Sequence, residues 1–234
     1  MHPIRLQLQG MERIARSSAQ ARDTSTEEES EERGDGMRNW VCFDTEIQRT
    51  IQEVAAELGL ANERDAFAYP QLMKMSVGVA YSSKDDTFHE FKDAKEMATY
   101  LWHFDGVLVG FNSIRFDVPL FLGHVDIDLY HALQKKPHID ILMDFYEKVG
   151  GRFRVSLDNV TSNTCGVKKN DSGAEAPLMF RRGEIERLMK YCKNDVAITA
   201  ALFRHGIEKG FIRYWDSEKG SVQEMKVDWK AMLE

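Results

Sequence analysis

The chain has 234 residues, 43% hydrophobic and 29% charged, with a formal net charge of −7 at pH 7, a composition suited to one globular domain with a sizeable core. No apolar run approaches the ~18 residues of a membrane span, and three scattered cysteines without a CxxC pair argue against a disulfide framework or a structural zinc site and for a reducing, cytoplasmic setting. The acidic balance, with a pI near 5.6, speaks against a broad basic surface for nucleic acid.

In chain order, residues 1–36 carry little aliphatic pattern, and "TSTEEESEERGDG" is polar, acidic and glycine-punctuated. This segment is expected to be a disordered tail, since it buries too little apolar surface to offset its ordering entropy. Its opening "MHPIRLQLQGMERIARSSAQA" lacks the apolar core of a secretory signal, and Met37 offers an alternative start. Residues 37–234 then form one domain. "WVCFDTE" reads as a strand, "TIQEVAAELGL" as a short amphipathic helix, and "LMKMSVGVAYS" with "TFHEF" as two strands around the turn "SKDD". "DAKEMATYLWHF" is a helix opened by Asp93, "GVLVGF" a doubly buried strand, and "DVPLFLGH" a short helix capped by Asp117 with Pro119 in its first turn. "HIDILMDFYEKVG" is a strand entering a helix, and "SLDNVTSNTCG" a capped helix ended by Gly166. "VKKNDSGAEAPLMFRR" reads as a long mobile loop; "EIERLMKYC" and "NDVAITAALFRHGIEKG" are two helices or one bent helix; "FIRYWDSEKGSVQEMKVDW" is a hairpin. The pattern gives an α/β fold with a mixed sheet flanked by helices and a C-terminal hairpin. The segment 47–70 is longer than a hairpin connection needs, and is either a substrate-facing insertion or an elaboration.

Several acids stand where acids are costly. On a strand, Cys42, Asp44 and Glu46 share one face. Two like charges that close destabilise the fold unless a cation sits between them, although one wet face of the strand would also suffice. On a helix, Leu188, Tyr191, Asp195, Ile198 and Leu202 form one stripe, so Asp195 lies within the apolar face and Tyr191 one turn earlier projects toward the same spot. Burying an unpaired carboxylate costs several kcal/mol, which calls for a metal or a close donor. In "GFNSIRFDVPLF" a buried strand ends in Asn112, with Asp117 five residues on, at the kind of strand end where ligands gather. Taken together, four converging acids are hard oxygen ligands suited to Mg²⁺ or Mn²⁺ rather than zinc. Asp140 and Asp144 suit helix or turn capping, Met73 and Met75 suit the core, and His124 and His138 lie near the motif loops.

"FDTE", "NSIRFD" and "YCKNDV" resemble, in order, the three exonuclease motifs of the DEDD superfamily of 3′–5′ exonucleases in its tyrosine subgroup. The third motif, and "SLDNV" upstream of it, are most similar to the proofreading module of family B DNA polymerases and its stand-alone bacterial relatives. The resemblance covers about residues 39–209. It implies a ribonuclease H-like fold and a site for two Mg²⁺ or Mn²⁺ ions held by Asp44, Glu46, Asp117 and Asp195, with Tyr191 holding the attacking water, Thr45 facing substrate, and Asn112 and Phe116 either structural or substrate-facing. The implied activity releases nucleoside 5′-monophosphates from single-stranded DNA 3′ ends, with RNA 3′ ends, or binding without catalysis as a subunit of a larger replication or repair complex, as alternatives. Any polymerase or helicase activity would belong to another chain. Outside residues 1–36 the chain holds 26 basic and 30 acidic residues, so bound divalent cations would bring the domain close to neutrality; "QKKPH", "GGRFR", "VKK" and "FRR" remain as local phosphate-facing stretches.

Overall fold

The structure, a computed structural model, describes residues 36–151, 154–167 and 175–234. The tail expected over residues 1–36 thus lies outside the described residues except for Gly36, as does the centre of the loop expected around 168–174.

Five strands make the main sheet: β1 (Trp40–Ile47), β2 (Met75–Ser82), β3 (Thr87–Phe91), β4 (Val107–Gly110) and β5 (His138–Asp140), in the order β3-β2-β1-β4-β5. β1 runs antiparallel to β2 and parallel to β4, so the sheet is mixed, as expected. Its alternation sorts the core. Trp40 and Cys42 point to one apolar layer, while Val41 and Phe43 point to the other. A fully buried side chain such as Phe43 contributes about 1.5–3 kcal/mol by leaving water.

The second layer is closed by α2 (Ala94–His103), capped by Asp93, and by α4 (Ile127–Gln134), capped by Asp126. The first layer is covered by α5 (Ile141–Val149), α6 (Leu157–Cys165) and the 25-residue α8 (Ile185–Lys209). α8 is one uninterrupted helix, because no Pro or Gly stands between Cys192 and Asp195 to break it. The hairpin β6 (Phe211–Asp216) and β7 (Ser221–Lys226) docks on α6, where Asn159 and Thr164 hydrogen-bond the backbone N–H and C=O of Trp215 and Arg213 and close that strand edge. Beyond the hairpin, Trp229 is fully buried, stacks on Phe203 with ring centroids 5.4 Å apart, and donates its indole N–H to Asp144 at 2.8 Å. Gly206 leaves room for that ring, since a Cβ there would lie 2.3 Å from it. Asp144 therefore holds Trp229 and Lys148 and is not the cap expected of it.

The segment after β1 folds as α1 (Ile51–Leu58), opened by a Thr50–Glu53 capping box and ended by Gly59 at φ 65°, then as 3-10 turns at Glu63–Ala68 and Pro70–Leu72. With α3 (Asp117–Leu120) it shares a small third core around Val54, Ala66, Met73 and Leu120, which partly buries Phe116. α7 (Ala176–Arg181), with Pro177 in its first turn, replaces part of the loop expected over 167–182. Among the described residues no helix is long and apolar enough to cross a membrane.

Candidate metal centre

The β1–β4 ladder ends at Cys42 and Val109, so β1 continues for five residues without a partner on that side. Its acids lie in this overhang. β4 ends at Gly110, where a Cβ would stand 2.2 Å from the Ser113 hydroxyl, so only glycine lets the chain fold back so tightly into the next loop. In that loop Asn112 takes a left-handed φ of 69°, which asparagine tolerates better than most residues. The loop is fixed from several directions. Asn112 N–H and Ile114 N–H donate to the two oxygens of Asp140, both at 2.9 Å, the Ser113 hydroxyl meets His138 Nε2 at 2.9 Å, and Phe116 N–H bonds Asn112 O at 3.0 Å. Asp140 also caps α5 through Leu142 N–H and Met143 N–H, in line with the capping role expected of it. Burial pushes the His138 imidazole down to about 4, so it stays neutral.

This loop delivers Asp117 to β1. Asp117 Oδ1 accepts from Thr45 N–H at 3.0 Å and from the Thr45 hydroxyl at 2.5 Å, completing the backbone that β4 leaves open. Asp117 is the first residue of α3 and makes no cap bond, which corrects its reading as a helix cap; the capping position is Phe116. Burial pushes the Asp117 carboxyl up to about 7 against the lowering effect of the Thr45 donors, and the Asp140 charge adds to the rise.

α8 lies across the Asp44 and Glu46 face. Its Cys192 thiol, fully buried, donates to Asp44 O at 3.3 Å and lies 3.8 Å from Asp44 Oδ2, while Cys42 of β1 donates in return to Val196 O at 3.7 Å. One ligand atom each from Asp44, Glu46 and Cys192 fall within 4.8 Å of one another. Burial, then the charges of Asp44, Glu46, Asp195 and Asp117, push the Cys192 thiol well up, keeping it a neutral S–H donor. Asp44 and Glu46 thus cluster with the thiol, Asp117 is tied to β1 between them through Thr45, and Asp195 lies buried on α8 three residues after Cys192. Asp44 is half-buried, whereas Glu46, Asp117, Asp195 and Tyr191 are buried. Such an oxygen-rich donor set fits hard divalent cations.

Thr45, expected to face substrate, and Asn112 and Phe116, expected to be structural or substrate-facing, all have internal partners. Thr45 is bound to Asp117, Asn112 to Asp140 through its backbone, and Phe116 packs on the third core with its ring 6.1 Å from Phe67. Cys192 was not singled out from the sequence, although its place beside Tyr191 and three residues before Asp195 put it on the same helix side.

No curated protein matches the chain. Among solved structures it is similar to the family B DNA polymerase from the hyperthermophilic archaeon Pyrobaculum calidifontis (18% identity, TM-score 0.51), covering 73% of this chain and 24% of that chain. Two structures of exonuclease I are also similar. One is a complex with the inhibitor BCBP (12% identity, TM-score 0.41, covering 74% of this chain and 42% of that chain), and the other is a product-bound form (10% identity, TM-score 0.37, 81% and 63%). The chain therefore spans less than two thirds of each of these proteins. The RNase_H_2 family model, of the RNase_H superfamily, matches residues 41–206, a span that takes in β1, the Asp117 loop and α8 through its acidic turn. The chain belongs to this family of the RNase H superfamily, and its mixed sheet, flanking helices and hairpin are a ribonuclease H-like fold.

Proposed function

We propose that the chain is a metal-dependent 3′–5′ exonuclease of the tyrosine subgroup that releases nucleoside 5′-monophosphates from single-stranded DNA ends in the cytoplasm. The observation that carries this reading is the cluster of Asp44, Glu46 and the buried Cys192 thiol, with Asp117 tied to the β1 backbone between the two acids through Thr45 and Asp195 buried on α8 three residues after Cys192. Carboxylates clustered as Asp44 and Glu46 are repel one another, and bound cations remove that cost. Two Mg²⁺ or Mn²⁺ ions at the four acids would supply charge neutralisation and Lewis acidity for in-line displacement at phosphorus.

The chain's own residues do the rest. β1 carries Asp44 and Glu46, α8 carries Asp195, and Thr45 anchors one oxygen of Asp117 to β1 between the two strand acids. A phenol ionises near pH ~10 in water and is a poor proton acceptor at neutral pH, so Tyr191 orients the attacking water and does not deprotonate it. Seating the terminal nucleotide beside the acids brings the last phosphodiester into line, a positioning effect that carries much of such catalysis.

The test uses 5′-labelled single strands of DNA and RNA, with free or blocked 3′ ends, in Mg²⁺, Mn²⁺ or EDTA. A ladder shortening one nucleotide at a time from a free 3′ end of DNA, stopped by EDTA, is expected. Internal cuts independent of the 3′ end would remove the exonuclease assignment, and faster loss of RNA would move the substrate to RNA.

A further inference from the structure

The loop of residues 112–116 is held by several hydrogen bonds, yet just before Asp117 it presents an apolar side chain and a cation to solvent. Ile114, whose N–H is bound by Asp140, is 39% exposed, and Arg115 next to it is exposed. Backbone bonds at residues 112, 114 and 116, and the Ser113 side chain, leave the loop little freedom. Exposing an isoleucine on so constrained a segment gains nothing for folding. The arginines around this end of β1 differ in a telling way. Arg49 pairs with Glu57 and bonds Leu72 O, and Arg181 pairs with Glu53 through two contacts of 3.1 Å. Arg115, two residues before Asp117, has no acidic partner among the described residues. A guanidinium is the preferred side chain for a phosphate oxygen, and an exposed aliphatic side chain beside it suits the face of a nucleobase.

On the nuclease reading above, we propose that Arg115 and Ile114 form the strand-binding rim of this site. Arg115 holds a backbone phosphate of the single strand, and Ile114 packs on a neighbouring base. Neither residue contacts the reacting atoms. Both act on binding and not on the chemical step.

The experiment is equilibrium binding of a fluorescent oligothymidylate to the full chain in EDTA over a series of salt concentrations, for wild type, Arg115→Gln, Arg115→Lys and Ile114→Ser. Each phosphate contact on a single strand adds about 0.7 to the slope of log K against log salt. Arg115→Gln should weaken binding about tenfold and lower the slope by about 0.7, whereas Arg115→Lys should keep the slope. Ile114→Ser should weaken binding at an unchanged slope. In turnover, Arg115→Gln should raise KM with kcat held within about twofold. An unchanged slope in Arg115→Gln overturns the rim while leaving the nuclease reading intact if wild type still shortens strands from the 3′ end. Absence of both binding and metal-dependent hydrolysis in wild type overturns the two together.

Discussion

Thr45 sits between the two acids of β1 and points away from them, yet it is tied to the site through Asp117. A hydrogen bond to a charged group contributes about 1.5–3 kcal/mol, and here it also holds the Asp117 carboxyl against β1. Thr45→Val keeps the shape and removes the hydroxyl. It should raise the Mg²⁺ concentration for half-maximal hydrolysis about tenfold, while Thr45→Ser stays close to wild type; equal Mg²⁺ requirements in all three proteins would contradict the anchoring role. The clustering of Asp44 with Glu46 and the burial of Asp195 were legible in the sequence because these acids break apolar patterns, whereas Asp117 and Tyr191 stood out through their spacing and the motif resemblance. The role of Thr45 was not, because its partner lies 72 residues away and a threonine on a strand breaks no pattern. Cys192 escaped for a similar reason, since a buried cysteine reads as a small apolar residue.

The loop between β4 and α3 stands on β5. His138 at the start of β5 is held neutral by burial, with its pKa lowered to about 4, and meets Ser113. An unfolded histidine titrates near ~6.5. The stability associated with the neutral ring is therefore complete above pH ~6.5 and is lost as pH falls toward 4, where the unfolded chain takes up the proton first. Denaturant unfolding at several pH values should show wild type losing up to about 3 kcal/mol more than His138→Gln across this window; parallel pH profiles would remove His138 from the account. At this scale the strands, α1, α2, α5, α6 and the hairpin were readable from alternation, capping residues and glycine stops. α4 and α7 were not. α7 is a six-residue helix that carries Pro177 in its first turn, after a polar, glycine-bearing run that imitates a loop. Their helical state is set by packing of Tyr130, Leu133 and Met179 into the cores.

Across the whole molecule, β1 is central to the sheet and extends past the end of β4, and α8 crosses its acidic face. The mixed sheet was legible because strand and helix patterns alternate after two hairpin-linked strands. The third core, which joins the long connection after β1 to Phe116, was not, because no local pattern tells α1 and its 3-10 turns to pack against α3. The central claim is that the meeting point of these elements holds divalent cations. It is tested most directly by calorimetric titration of Mn²⁺ into metal-free wild type and Asp44→Asn at neutral pH, with folding of both checked by circular dichroism. Two Mn²⁺ ions per wild-type chain, and loss of at least one of them in a folded Asp44→Asn, are predicted. Identical binding by the two proteins, or no binding by wild type, would contradict the account.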